Sequence, residues 1–157
     1  MSFVVLKIVL INDKIKLLGG IMRYIGLDLG TKTLGISLSN GIIATNYITL
    51  RHNEEYERMA LEVKNIVLEK KIDKIVLGFP KNMNNTIGER ANVTLKFKDM
   101  LEELTNLEVI MEDERLTSKV ANDVLINAST RRNKRKEKVD GVASVIILQS
   151  YLDRKGI

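Results

Sequence analysis

From Met22 onward the chain alternates short apolar runs with longer segments of helical period, an order that few folds accommodate. Tyr24–Gly30 reads YIGLDLG, a buried strand carrying one aspartate. Gly30-Thr31-Lys32-Thr33 turns the chain, and Leu34–Leu38 begins a second strand. Ser39-Asn40-Gly41 is a hairpin signal before a third strand over Ile42–Leu50. Asn53 is a good N-cap with Glu54 and Glu55 in the first turn, and Met59, Val63, Ile66 and Val67 follow at helical spacing. Lys74–Pro80 is a fourth strand, and the loop Lys81–Gly88 leads into a helix with Val93, Phe97, Met100, Leu101 and Leu104 on one side. Leu107–Met111 is the fifth strand, ending at Glu112-Asp113-Glu114. A helix from Thr117 to Asn127, a basic loop and a last helix from Val139 to Leu152 complete the reading. Alternation in the second half implies right-handed crossovers between parallel neighbours. The expected fold is α/β: a mixed five-stranded sheet with helices on both faces, and no domain boundary after residue 22.

The first 21 residues differ from the rest. Phe3–Ile11 is apolar except for Lys7. It is too short for a bilayer span, which takes about 20 residues, and no basic start or cleavage site marks it as a secretory signal. An extra edge strand is one reading. The favoured one makes Met22 the natural start, because codons for Gly19-Gly20 resemble an in-frame ribosome-binding site just ahead of it. Residues 1–21 are therefore an extension outside the core, and 22–157 the domain.

Composition removes several chemistries. There is no cysteine, which excludes a disulfide scaffold, a thiolate zinc site and a cysteine nucleophile, and the single histidine excludes any histidine pair. His52 itself reads as a surface residue before a helix. The net charge is +5, and the octet Arg131–Lys138 alone, with six basic residues and one acid, accounts for it. Such a concentrated basic loop fits a polyanion, or else a solvated loop.

Carboxylates carry what chemistry remains. Asp28 lies between Leu27 and Leu29, where strand propensity and desolvation disfavour it. It is either satisfied by N–H groups of the following turn or it is a metal ligand, since hard oxygens suit Mg²⁺ or Mn²⁺. Asp113 and Glu114 end the fifth strand, at the edge where parallel sheets gather ligands, or serve as acids at a helix start. Asp140 opens the last helix, as a dipole partner or a ligand. Converging on one edge, three acids would form an oxygen site able to activate water for phosphodiester hydrolysis. The stretch Gly78–Arg90 runs into a helix N-terminus, which favours an anion, with Arg90 a bidentate donor or a solvated residue.

Four stretches match a known family in order: GLDLGTKTLGIS (26–37), GFPKNMNNTIGERA (78–91), EDERLTS (112–118) and KVDGVASVIILQSYL (138–152). They resemble the motifs of the YqgF-type pre-16S rRNA nucleases, also described as Holliday junction resolvase-like proteins, of ribonuclease H-like fold. Asn85 stands where the family's NMxGT loop has glycine, and Glu112 where an aromatic is common. The resemblance implies a cytoplasmic nuclease acting in 16S rRNA 5′-end maturation with Mg²⁺ or Mn²⁺. It makes Asp28, Asp113, Glu114 and Asp140 the catalytic acids. Adjacent strand residues point to opposite faces, so one of the 113–114 pair joins Asp28 and Asp140 at the metal, and Glu114 is the expected one. The expected nucleic-acid contacts are Lys32, Asn82, Arg90, Arg115, Arg131, Arg132, Lys134 and Arg135. The partners are structured or precursor RNA, ribosomal particles, or branched DNA, and no membrane. The alternatives are a non-catalytic RNA- or ribosome-binding protein and a Holliday-junction DNA resolvase. An actin-like ATPase, which DLGTKTLGISLSN also resembles, needs two such domains and fails on length.

Overall fold

The computed structural model describes residues 21–80, 88–114 and 132–156, with the side chains of 132–140 excepted. The elements are β1 (Tyr24–Leu29), β2 (Thr33–Ser39), β3 (Ala44–Arg51), α1 (Tyr56–Lys70), β4 (Lys74–Phe79), α2 (Glu89–Thr105), β5 (Val109–Asp113) and α3 (Arg132–Arg154). They form one five-stranded sheet in the order β3-β2-β1-β4-β5. The β1–β2 and β2–β3 pairs are antiparallel hairpins, whereas β1–β4 and β4–β5 are parallel. β1 is therefore central, and β1, β4 and β5 deliver their carboxyl ends to one edge. β4 is apolar and buried on both sides, as a parallel central strand must be.

Strand alternation sorts the core into two layers. On one face Ile25, Leu27, Leu29, Ile75 and Leu77 pack against Met59, Val63 and Val67 of α1 and Phe97 and Leu101 of α2. On the other, Tyr24 and Val76 pack against Ile147, Leu148, Tyr151 and Leu152 of α3. Truncating a buried residue such as Phe97 to Ala would cost about 3–5 kcal/mol. α3 lies close to the sheet because β1 has no side chain at position 26. A Cβ on Gly26 would sit 2.6 Å from Leu148 Cβ and also collide with Ser37 Oγ. That hydroxyl donates to the Ser144 carbonyl at 2.8 Å, tying β2 to the helix.

The expected sheet, its two helix-covered faces and the Met59 and Phe97 stripes are all present; several boundaries move. The Asn53 cap is absent. Glu54 adopts a left-handed conformation (φ 58°), and Glu55 takes the N-cap position without a side-chain cap bond. Glu55's carboxylate accepts from Arg58 Nε at 2.8 Å instead, so α1 begins at Tyr56. β3 begins at Ala44 rather than Ile42, because Gln149 of α3 binds the turn. Its Oε1 accepts from Ala44 N–H at 2.9 Å, and its Nε2 donates to the Ile42 carbonyl at 3.0 Å. β5 begins at Val109, since Leu107 belongs to a turn whose N–H donates to Thr105 Oγ1, and it continues through Asp113, paired with Phe79. The largest revision concerns the basic stretch. It is not a loop from Arg132 on: α3 starts there, well before Val139. Lys and Arg are good helix formers, and no Gly or Pro interrupts 132–140. The helix expected over 117–127 and the extension up to residue 20 lie outside the described residues.

Candidate active site

The site assembles where three parallel strands end. On β1, residues facing α3 alternate: Tyr24 packs on Tyr151 (ring centroids 5.7 Å apart), Gly26 meets Leu148, and Asp28 follows on the same face. On β5, Glu112 faces α3 and Asp113 alternates to the other side, and Glu114, just past the strand end, returns to the face of Asp28. Between them lies β4, where Gly78 leaves room for Glu114. A Cβ at Gly78 would stand 2.7 Å from Glu114 Oε1 and 2.6 Å from Ile147 Cδ1. The glutamate thus lies across the neighbouring strand toward Asp28.

Electrostatics mark this pair. The Glu114 carboxyl is pushed up to about 7, first by burial and then by the Asp28 charge, with a hydrogen bond to Asp28 and the Asp113 charge adding to the effect. The Arg90 guanidinium pulls the other way. Two carboxyls in contact, one retaining a proton near neutrality, form a hard-oxygen donor set; a divalent cation held there would replace the proton and remove the repulsion. Among the described residues no group of three or more His, Asp or Glu is arranged to hold a metal. Asp140, the third expected ligand, falls in α3, the helix over this face, but its side chain lies outside the described residues.

The expected contacts divide. Arg90 is at the site, in the first turn of α2, where its Nη2 donates to the Leu29 carbonyl at 2.7 Å and anchors the end of β1. Lys32 is exposed in the β1–β2 turn. Arg132, Lys134 and Arg135 lie in the first turns of α3. Asn82, Arg115 and Arg131 lie outside the described residues. His52 is not a surface residue but is 7% exposed, because both ring nitrogens and its backbone N–H are hydrogen-bonded.

Sequence reasoning missed Gly78 and the role of Glu112. A glycine within an apolar strand signals close approach, so Gly78 could have been found. Glu112 is fully buried and receives both Arg154 guanidinium nitrogens, at 2.7 and 2.6 Å, with Ser150 Oγ donating at 3.3 Å. Its partner is 42 residues away in sequence, and no local signal pairs them.

Comparison with known proteins bears on the family and the fold. A family model described as "RuvX: Holliday junction resolvase" matches residues 22–154. A protein of Bacillus cytotoxicus named "Putative pre-16S rRNA nuclease" is 47% identical over 137 residues, covering 85% of this chain and 100% of the relative. One of the same name from Agathobacter rectalis is 46% identical over 136 residues, 84% of this chain and 95% of the relative. The structure of T. thermophilus RuvC in complex with Holliday junction substrate matches with a TM-score of 0.60 over 86% of this chain and 96% of that one, at 10% identity. That likeness is one of fold, and the five-stranded mixed sheet is the ribonuclease H-like arrangement expected above.

Proposed function

The chain belongs to the RuvX family of Holliday junction resolvases, and from that membership we propose that it is a divalent-metal-dependent endonuclease that processes the 5′ end of pre-16S rRNA. The observation that carries the reading is the Asp28–Glu114 pair: two carboxyls in contact at the carboxyl edge of a parallel sheet, with the Glu114 carboxyl held near 7. The names of the curated relatives support the nuclease class and the RNA substrate.

In this reading Asp28, Glu114 and Asp140 hold Mg²⁺ or Mn²⁺, and Asp113 supports the site from the opposite face of β5. When bound, the ion supplies Lewis acidity and an activated water for phosphodiester hydrolysis. The protein's own residues bind and orient. Arg90 brings positive charge beside the carboxyls, Lys32 reaches out from the turn that follows Asp28, and Asn82, Arg115, Arg131, Arg132, Lys134 and Arg135 engage phosphates along the strand. Cationic side chains at the start of α3 oppose the helix dipole, and a bound polyanion relieves that conflict. The setting is cytoplasmic, on precursor RNA within ribosomal particles. No helix among the described residues is long and apolar enough to cross a membrane.

The family description favours a second substrate, branched DNA. One experiment separates the readings: purified protein with Mg²⁺ or Mn²⁺, offered precursor rRNA and a four-way DNA junction side by side. The expected result is cleavage of the RNA, abolished by EDTA. Cleavage of the junction alone makes the chain a resolvase, and tight binding without cleavage of either makes it a non-catalytic binding protein.

A further inference from the structure

His52 bridges two parts of the molecule that are far apart in sequence. Its Nδ1 accepts the Glu54 N–H at 3.1 Å, an approach set by the left-handed backbone of Glu54 (φ 58°). With Nδ1 an acceptor, the proton of the neutral ring sits on Nε2, which donates to the Gly30 carbonyl at 3.1 Å. The His52 backbone N–H donates to the Lys32 carbonyl at 3.0 Å, and the ring packs on Tyr56 at 5.5 Å. The turn beyond Asp28 is thereby closed by one bond of its own and held from outside at three carbonyls. Gly30 N–H closes it on the Thr33 carbonyl at 2.8 Å, Arg90 takes the Leu29 carbonyl, and His52 takes those of Gly30 and Lys32. What this turn projects outward is the exposed side chain of Lys32.

We propose that His52 is a positioning residue for nucleic-acid binding: by fixing the Gly30–Thr33 turn to the β3–α1 junction it presents Lys32 to a phosphate of the bound strand beside the carboxyl pair. The inference rests on the proposed reading that Lys32 contacts nucleic acid. A turn held from both sides loses little conformational freedom on binding, so the contact is made at low entropic cost.

Two substitutions separate the bonds that His52 makes. His52→Gln can keep a donor near Nε2 for the Gly30 carbonyl, and His52→Asn can keep an acceptor near Nδ1 for Glu54 N–H. Both lose the ring, so both should lower the melting temperature by similar amounts. Affinity for a fluorescent RNA copy of the pre-16S 5′ end, measured by anisotropy with Ca²⁺ replacing Mg²⁺, should fall about three- to tenfold in His52→Asn and be largely restored in His52→Gln. Lys32→Ala should fall by a similar factor, and His52→Asn added to it should have little further effect. Equal affinity losses in both His52 variants, additive losses with Lys32→Ala, or no effect of Lys32→Ala alone would overturn the proposal. Failure of the nuclease reading is seen separately, as an unchanged cleavage rate in Asp28→Asn.

Discussion

Glu112 and Glu114 lie two residues apart on one face at the end of β5, and their surroundings are opposite. Glu112, wholly removed from water, meets the Arg154 guanidinium in a bidentate pair and takes a third bond from Ser150. Glu114 meets the carboxyl of Asp28, and its own carboxyl is pushed up to about 7. Residue type and face are shared, one glutamate in β5 and the other just past its end; what α3 and β1 bring opposite each differs. A buried carboxylate with a matched guanidinium fork holds a helix to a strand. One pressed against a second carboxylate opposes folding, a conflict that a bound cation would relieve, and such perturbed groups gather at functional sites.

The largest expected effect comes from neutralising the acid opposite Glu114. Asp28→Asn should lower the cleavage rate by about two or more orders of magnitude, the scale seen when transition-state electrostatics are removed. Its melting temperature without metal should hold or rise, because a carboxylate repulsion is gone. Cleavage and melting measured together, with and without Mg²⁺, check this; a destabilised but fully active variant would erase the distinction between the two glutamates.

Removing the partner of the other glutamate should do the reverse. Arg154→Met leaves Glu112 buried without its guanidinium. Because the Arg154 side chain is 50% exposed, the pair is partly screened and the expected loss is about 2 kcal/mol, read by urea denaturation. Cleavage per folded molecule should be unchanged. Adding Glu112→Leu should recover much of the stability, since a buried pair can be replaced by apolar side chains. Activity lost in Arg154→Met beyond its unfolded fraction would mean that Glu112 serves the site as well.

A subtler contrast appears in pH. The folded protein holds the Glu114 proton up to about 7, whereas an unfolded chain releases it at the ordinary value of 4.5. The folded state therefore binds more protons between these values, and the stability linked to this group is present below 4.5 and lost as pH rises through 7. Relative to Glu114→Gln, the metal-free wild type should melt progressively lower from about pH 5 to pH 8, and Mg²⁺ should flatten the difference. A flat difference without metal would contradict the carboxyl contact.

The smallest effect concerns the basic stretch. If Arg131, Arg132 and Arg135 contact single-stranded phosphate, they contribute about −2 to the slope of log K against log salt. Their replacement by Ser should flatten that slope and leave turnover at saturating RNA intact. An unchanged slope would assign RNA affinity to the region around Lys32 and Arg90 instead.

The layers of this fold are legible in the sequence because their signals are local. Met59, Val63 and Val67 repeat at helical spacing, and β4 is a short apolar run with no polar face. Asp28 stands out for the same reason, as an acid in an apolar strand. What escapes is decided by partners distant in sequence. Asn53 has the chemistry of a cap, but His52 draws the Glu54 N–H to its own ring and the helix starts later. The choice between Asp113 and Glu114 waits on where β5 ends and on the missing side chain at Gly78. The basic stretch stands out as charge, yet its straight-chain residues favour helix, and α3 begins there.

The bond from Ser37 Oγ to the Ser144 carbonyl spans 107 residues of sequence. It joins a hairpin made early in synthesis to a helix made late, and α3 is the element that covers the face carrying Asp28. β1, β2 and β3 can pair as soon as they leave the ribosome, being neighbours in sequence, but closing so long a loop must await the last helix. A nascent chain therefore carries Asp28 on an uncovered sheet face, without β5 or α3 to complete the site. The face that carries Asp28 is therefore covered only once α3 has been made and has docked.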